Sequence, residues 1–333
     1  MDRRKLGLLL VLFLFPAAGC AVLTGKSAEP GDIVVARDAD QVMGTEAEVR
    51  VPAGGITFTV GKPVSEVAED QTSDLQGRRA PDDGSFVPLR WQIDDTALPS
   101  YALVMATQPE PITLDLVAGD ETIQVSPNLA SERGPVYVAV PGDGEKVSLE
   151  VGYDGVTQFV DAASGDREEG LAAPLYDLPE APGPAPDCPA RGWLDDPQID
   201  YRVTCTVGAH VVLPYLPELG WAAEARSWVI VATEVYLRDV TWQPVGGGPA
   251  VEYDVLSGAD ASTLDGSTPV ELLEETSNGE RTLVREIFEA DQGGPLELEV
   301  GRDYELRVDG SPAGAHPDPL EVALRQVVPL DTG

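Results

Sequence analysis

The stretch Ile56-Thr57-Phe58-Thr59-Val60-Gly61 decides the fold class of this chain. Apolar Ile56, Phe58 and Val60 alternate with threonines, and Gly61 is followed at once by Lys62-Pro63. Successive side chains of a strand point to opposite faces, so this alternation indicates a strand that has one buried face and ends at a turn.

Short segments of the same character follow this stretch. They are predicted strands, at residues 86–93, 101–106, 112–117, 136–140 and 147–151. Glycine and aspartate separate them, and these residues tolerate the backbone angles of tight turns. Many short strands with almost no helical periodicity predict an all-β sandwich or barrel.

The second half of the chain repeats the first in outline. Val203-Thr204-Cys205-Thr206-Val207-Gly208 matches the opening stretch, residues 295–301 echo residues 111–116, and Leu283-Val284 matches Leu103-Val104. The matches keep the same order along the chain, which indicates a duplicated domain.

Residues 268–288 fit two interpretations. Thr268-Pro269-Val270-Glu271 has the form of a helix N-terminus with a capping box. Asn278-Gly279, between two runs that contain apolar residues, is a strong signal for a β-hairpin. The hairpin is favoured because the repeat aligns Leu283-Val284 with a strand.

A proline-rich segment divides the predicted strands into two groups. Proline holds the backbone extended and removes a ladder donor, so residues 174–192 are predicted to be a semi-rigid linker. Its prolines are Pro174, Pro179, Pro182, Pro184, Pro186 and Pro189. The linker separates two predicted β-sandwich domains, residues 46–173 and 193–333.

The first residues have the order of parts found in a secretory signal peptide. A basic start at residues 3–5, an apolar run over residues 6–15 and the small residues Ala17-Ala18-Gly19 precede Cys20. The apolar run is shorter than the roughly 20 residues that span a bilayer. Residues 21–45 show no periodicity and are predicted to be a flexible tether.

Small residues that end at a cysteine resemble the lipobox of bacterial lipoproteins. The resemblance implies a signal peptide, residues 1–20, that ends at Cys20, with this cysteine acylated as the first residue of the mature chain. The chain is then anchored to a membrane outside the cytoplasm. Ala21, where many lipoproteins of the inner membrane have aspartate, implies the outer membrane in an organism with two membranes. The alternative is an ordinary cleaved signal peptide with an incidental cysteine.

Paired, strand-rich, exported domains resemble the immunoglobulin-like sandwich modules of bacterial lipoproteins. Residues 56–61 and 111–116 and their counterparts in the second half carry this resemblance. It implies two immunoglobulin-like β-sandwich domains in tandem that bind or scaffold at the cell envelope. The cysteine pair of antibody domains is not matched, because Cys188 and Cys205 lie too close together in the chain to bridge two sheets.

The chain is strongly acidic, with 22 Lys and Arg against 57 Asp and Glu, which makes its formal net charge −35. Such a surface repels phosphate backbones and anionic head groups, so nucleic acid is disfavoured as a partner. The same charge favours solubility. The predicted partners are the membrane, through the lipid anchor, and an envelope protein or glycan.

Two cysteines remain once Cys20 is assigned to the lipid. Cys188 and Cys205 form an even pair in an oxidising compartment and are predicted to form a disulfide. Such a bond stabilises a fold by on the order of 3 kcal/mol when the loop is short. No histidine stands near either cysteine, which disfavours a metal pair or a reactive thiol.

The sequence carries no motif of a known catalytic site, and the chain is predicted not to be an enzyme. Its histidines, His210 and His316, are predicted to lie on a strand near a turn and in a loop. A nucleophile elbow, a zinc-binding helix and a dinucleotide-binding loop do not occur. The alternative is an envelope hydrolase with two carboxylates about 5 to 10 Å apart across a cleft.

Acidic loops leave calcium as a further alternative, in a calcium-stabilised structural lipoprotein. Asp38, Asp40 and Glu46, or Asp82 and Asp83, could donate oxygen ligands. Neither set has the spacing of an EF-hand loop. Turn and loop chemistry is therefore the favoured interpretation, and no metal or cofactor site is predicted.

Trp193 and Trp221 form the predicted partner surface. They stand beside Gly192 and Gly220 in predicted loops, and exposed tryptophans are frequent at binding hot spots. Trp228, in an apolar run, is predicted to belong to the core.

Overall fold

A computed structural model describes residues 26–38, 42–94, 98, 110–130, 134–277, 280–312 and 314–331. The fold is nearly all β, with 57% strand and 4% helix in several sheets. This architecture confirms the predicted all-β, sandwich-type fold. Several predictions lie outside the described residues, namely the signal peptide 1–20 with Cys20, Asp40, the strand 101–106 and Asn278-Gly279.

Two five-stranded sheets lie in the first half of the chain. The strands of the first, in spatial order, are β2 (Ile33–Val35), β10 (Val136–Pro141), β7 (Gly84–Asp94), β4 (Gly54–Gly61) and β3 (Gly44–Val51). Those of the second are β13 (Arg167–Glu168), β12 (Val156–Asp161), β11 (Val147–Tyr153), β8 (Thr113–Ala118) and β9 (Glu121–Ser126). A small sheet contains β1 (Lys26–Ser27), β6 (Arg78–Arg79) and β5 (Glu66–Val67).

Side chains from both five-stranded sheets share one hydrophobic core. Ile56 and Phe58 on β4 and Leu89 on β7 are completely buried together with Leu114 on β8. Thr57 on β4 is exposed, as the alternation predicts, whereas Thr59, on the same face as Thr57, is buried. The alternation in this stretch therefore decides which face of its sheet packs inward.

A nine-stranded sheet lies in the second half. The main path, in spatial order, is β20 (Thr263–Leu264), β23 (Leu296–Val308), β19 (Val251–Asp260), β18 (Arg226–Trp242), β22 (Arg281–Asp291) and β21 (Glu271–Ser277). Three further strands are β14 (Ile199–Val207) and β15 (Val211–Leu213), which pair with β18, and β24 (Leu320–Leu330), which pairs with β23. β16 (Tyr215–Leu216) and β17 (Gly220–Trp221) pair with each other.

The nine-stranded sheet encloses a second hydrophobic core. Val231 on β18 and Phe288 on β22 are buried in the same cluster as Leu298 on β23 and Leu324 on β24. β18 pairs with β22 from Arg226 to Tyr236 but with β19 only near its C-terminal end. The sheet therefore folds back on itself and supplies both walls of this core.

β21 and β22 form the predicted hairpin around residues 278–279. They pair antiparallel from Glu271 opposite Ile287 to Ser277 opposite Thr282. The helical interpretation of residues 268–288 is wrong, because the apolar positions of β22 alternate between the core and the opposite face of the sheet.

The strings that match as an internal repeat lie on strands with different neighbours. β4 lies between β3 and β7, whereas β14, which carries residues 203–207, pairs with β18 alone among the described strands. The sheet orders of the two halves also differ. The repeat is therefore not reproduced in the strand pairing, since alternating strands resemble one another whichever sheet they join.

The prediction of a flexible tether over residues 21–45 is wrong for its described part. β2 pairs antiparallel with β10. Ala28 and Ala36 on either side of β2 are buried. A strand of three residues is too short to show a periodic pattern, so the sequence carried no signal for it.

The predicted linker, residues 174–192, begins inside a 3₁₀ helix, Gly170–Tyr176. Leu175 in this helix is completely buried, and the hydroxyl of Tyr176 accepts a hydrogen bond of 2.9 Å from the backbone N–H of Arg50. The start of the linker is therefore packed against the first sheet rather than free of it.

Candidate functional site

Three charged residues meet inside the second core, and we call them the core carboxyl cluster: Asp260, Glu286 and Arg302. Glu286 and Arg302 are completely buried, and the side chain of Asp260 is 13% exposed. They lie on β19, β22 and β23, respectively. Burial of this kind is rare for charged side chains unless they are paired.

The strand pattern explains why these charges point inward. On β22, every second side chain from Val284 to Phe288 is completely buried, and Glu286 is the middle one of these three. The residues between and after them lie on the opposite face, where Arg285 is exposed and Glu289 is half-buried, although Ile287 is buried there as well. Glu286 thus occupies a position where the period of the strand expects an apolar residue. Arg302 occupies the equivalent place on β23, between the buried Val300 and Tyr304.

Arg302 binds groups from several strands at once. Its Nη1 donates to a carboxylate oxygen of Asp260 and to the hydroxyl of Ser262 at 2.9 Å. Its Nη2 donates to the hydroxyl of Thr233 on β18 at 2.6 Å. Ser262 in turn donates to Asp260 at 2.8 Å. The guanidinium therefore connects β18, β19 and β23 across the core.

Glu286 has a strongly raised pKa. Burial is the main cause and the neighbouring Asp260 carboxylate adds to it, so that the pKa rises to about 8 although Arg302 opposes the shift. At neutral pH the folded protein therefore holds Glu286 protonated. Burial likewise raises the pKa of the Tyr304 phenol, although the neighbouring charge of Arg302 opposes the shift.

A protonated carboxyl beside a carboxylate is the pairing that acid–base hydrolysis uses. In this cluster, however, Glu286 and Arg302 have no solvent-exposed surface. The guanidinium of Arg302 bonds groups on β18 and β19, so Arg302 can hold these strands in register with β23. Both carboxyl oxygens of Glu286, by contrast, are buried without a hydrogen-bond partner among the described residues. The core carboxyl cluster was not predicted from the sequence, although a charged residue at an inward position of an alternating strand, as at Glu286 and Arg302, is a signal for it.

The prediction that Trp193 is exposed to a partner is wrong. Its side chain is 2% exposed, and its Nε1 donates a 2.6 Å hydrogen bond to the carbonyl of Pro189. The backbone N–H of Trp193 also donates to the hydroxyl of Tyr201, at 3.2 Å. Trp193 packs in the second core. The neighbouring glycine predicted a loop, but a tryptophan in a loop is buried when the loop covers a core.

Trp221 is half-buried and packs against the first core, and its role in a partner surface stays a prediction. Its ring lies 5.2 Å from that of Tyr215 and 6.5 Å from that of Tyr153, both edge to face. Tyr215 is 1% exposed and is itself part of the first core. The β16–β17 hairpin, although it follows the predicted linker, thus completes the core of the preceding sheets.

Trp228, which was predicted to belong to the core, is half-buried beside this hairpin. Its Nε1 donates a hydrogen bond to the carbonyl of Gly220.

Cys188 and Cys205 form the predicted disulfide, with Cα atoms 5.6 Å apart. The bond ties the end of the linker to β14.

The two histidines lie in different environments. His210 is buried, and one of its ring nitrogens lies 2.6 Å from the carbonyl oxygen of Asp331. His316 is half-buried in a loop and contacts the carbonyl of Gly314.

Of the described acidic residues considered for calcium, Asp82 and Asp83 lie in a turn and Glu46 lies on a strand. Asp82 and Asp83 lie in the turn before β7, where the carbonyl of Asp83 accepts the N–H of Gly142 at 2.9 Å. Glu46 is exposed on β3. Within the described ranges no group of three His, Cys, Asp or Glu side chains is arranged to hold a metal ion.

Comparison of the chain with protein-family models, with curated protein sequences and with solved structures gave no match. Over the described part of the chain, no helix combines the length and apolar character required to cross a membrane.

Proposed function

We propose that this protein is a lipoprotein outside the cytoplasm, anchored to the cell membrane through Cys20, that binds or scaffolds partners at the envelope. Its two hydrophobic cores are then those of two immunoglobulin-like sandwich modules. In an organism with two membranes, Ala21 assigns the anchor to the outer membrane.

The observation that carries this proposal is the disulfide between Cys188 and Cys205. Structural disulfides persist in oxidising compartments and are rare in the cytosol, where thiols stay reduced. Independently, a basic start, a short apolar run and small residues before Cys20 describe an exported chain. Both features therefore support the same compartment.

Binding is preferred to catalysis because of where the acids lie. Asp260 and Glu286 are adjacent in the second core, and Glu286 is completely buried. A hydrolase needs both acids to reach a substrate and a water molecule. Hydrolysis of an envelope glycan by this pair is the second candidate function. On that hypothesis, Glu286→Gln should abolish cleavage of the glycan.

Metabolic labelling tests the anchor. The full chain and its Cys20→Ser variant are expressed in bacteria fed a radiolabelled fatty acid, and membrane and soluble fractions are separated. We expect label and membrane association for the natural chain and neither for Cys20→Ser. The paired Cys188→Ser and Cys205→Ser variant is the matched control, and it should keep the label. An unlabelled natural chain with an intact amino terminus in the cytoplasm would refute the proposal.

A further inference from the structure

We propose that the side of β21 away from β22, between Glu271 and Thr276, is a docking edge for an extended, basic segment of a partner protein, which adds to the nine-stranded sheet as a further antiparallel or parallel strand. This inference rests on the proposed function as a binding protein and names the place and the chemistry of the binding.

Among the described strands, β21 lies at the edge of its sheet, and its side chains are almost entirely outside the core. It pairs with β22 on one side, and Glu271 is half-exposed while the six residues from Leu272 to Ser277 are exposed. Its neighbour β22, by contrast, has completely buried side chains. A strand held extended without core contacts presents alternate N–H and C=O groups that a further strand can pair with.

Two other long edge strands are covered by the chain itself. On β3, the backbone N–H of Arg50 donates to the hydroxyl of Tyr176 at 2.9 Å, and its carbonyl accepts from Gln158 at 2.7 Å. On β24, the backbone N–H of Arg325 donates to the carbonyl of Trp193 at 3.0 Å. Between Glu271 and Thr276, no backbone hydrogen bond from another described segment reaches the side of β21 away from β22.

Exposed apolar side chains are concentrated at this edge. Val270, Leu272 and Leu273 are 51%, 47% and 43% exposed. The pairing register shifts between Leu272 and Glu274, so Leu273 is the extra residue of a bulge. Large apolar side chains exposed together are costly in water unless a partner covers them.

Charge decides the kind of partner. Glu271, Glu274 and Glu275 lie on β21, and the whole chain has a formal net charge of −35. A second copy of the chain would place like charges opposite one another, which is unfavourable across paired strands. A segment with alternating apolar and Lys or Arg residues instead pairs its cations with the glutamates and its apolar side chains with Leu272 and Leu273.

A peptide binding assay with the full chain in detergent micelles tests this docking edge. The probe is a fluorescent, capped peptide of alternating Lys and Val, and the comparison peptide has its central Val replaced by Pro. We expect the first peptide to bind at low salt, the proline peptide to bind at least ten-fold more weakly, and amide hydrogen exchange to slow over residues 271–276 when the first peptide binds.

The variant that tests the site is Leu272→Lys with Leu273→Lys, which should weaken binding at least ten-fold. Its control, Val245→Lys with Val327→Lys, adds the same charge at residues that are 85% and 49% exposed elsewhere, and should bind as the natural chain does. Equal losses in both variants, equal binding of both peptides, or no slowing of exchange on β21 would each overturn the docking edge. These outcomes leave the labelling of Cys20 unaffected, so the two proposals fail separately.

Discussion

The indole Nε1 of Trp221 donates a 3.2 Å hydrogen bond to the backbone carbonyl of Tyr153, and the two rings lie edge to face at 90°. Tyr153 ends β11 in the first half of the chain, whereas Trp221 belongs to β17, beyond the proline-rich segment. Tyr215 fills the space beside both rings. The first core is therefore closed by a hairpin from the other side of the predicted linker.

Replacement of Tyr215 by Ala tests this closure. Removing a buried aromatic side chain costs about 3 to 5 kcal/mol through lost burial and the cavity that remains. We therefore expect a large fall in the urea midpoint, measured by the fluorescence of Trp91 and the other tryptophans. Val245→Ala, at a residue that is 85% exposed, should leave the midpoint unchanged. A midpoint for Tyr215→Ala equal to that of the natural chain would contradict the closure.

The raised pKa of Glu286 predicts a pH dependence of stability. Its pKa is about 8 in the folded protein against an ordinary value of 4.5, so the folded state binds this proton more tightly than the unfolded state does. The resulting stability is fully present below about pH 4.5 and is lost as the pH rises towards 8. The slope is at most about 1.4 kcal/mol per pH unit.

Glu286→Gln isolates that effect, because an amide keeps the shape of the protonated carboxyl but does not titrate. We expect the urea midpoint of the variant to depend less on pH than that of the natural chain between pH 5 and pH 8. This window lies between the ordinary pKa of a glutamate and the raised pKa of Glu286 in the folded protein. Glu305→Gln, at an exposed position on β23, is the control and should keep the natural slope. Parallel curves for Glu286→Gln and the natural chain would count against the raised pKa.

Arg302→Met should destabilise the protein by about 3 to 5 kcal/mol, since it removes the buried cation that bonds the largely buried Asp260 side chain. The combined change Arg302→Met with Asp260→Asn should cost less than the sum of the single changes, because both members of the pair are removed together. Urea unfolding of the natural chain, the two single variants and the double variant measures this coupling. Strict additivity would mean that the pair contributes no interaction energy.

Loss of the Cys188–Cys205 disulfide should lower stability by about 3 kcal/mol, because the bond closes a short loop in the unfolded chain between two residues 17 positions apart. The double replacement by Ser should melt at a lower temperature than the natural chain and should not respond to reductant. The natural chain should fall to a similar melting temperature when reductant is added. A natural chain that is insensitive to reductant despite proven reduction would contradict this prediction.

Local patterns predicted the strands well where one face is buried. The stretch from Ile56 to Gly61 alternates because Ile56 and Phe58 pack inward while Thr57 does not. Asn278-Gly279 likewise indicated the hairpin of β21 and β22 correctly. The three residues of β2 were not predicted to form a strand, because they are extended by pairing with β10 and are too few to show a periodic pattern of their own.

The core carboxyl cluster and the burial of the two tryptophans depend on contacts between residues that are far apart in the chain. Asp260 and Arg302 lie 42 positions apart in the chain and meet because β19 and β23 pair. Trp193 and Trp221 were predicted to be exposed from their neighbouring glycines, but each ring finds a hydrogen-bond acceptor and apolar neighbours in the folded chain. No local pattern contains the position of those partners.

By itself, the sequence determined the all-β class, the turns and the cysteine pair, because alternation, turn residues and cysteine count are local properties of the chain. Only the tertiary structure decided which strands share a sheet, which charges are buried and which of the described strands lie at a sheet edge. Those outcomes depend on side chains far apart in sequence that come together when the sheets pack, and burial is a property of that packing rather than of any one residue.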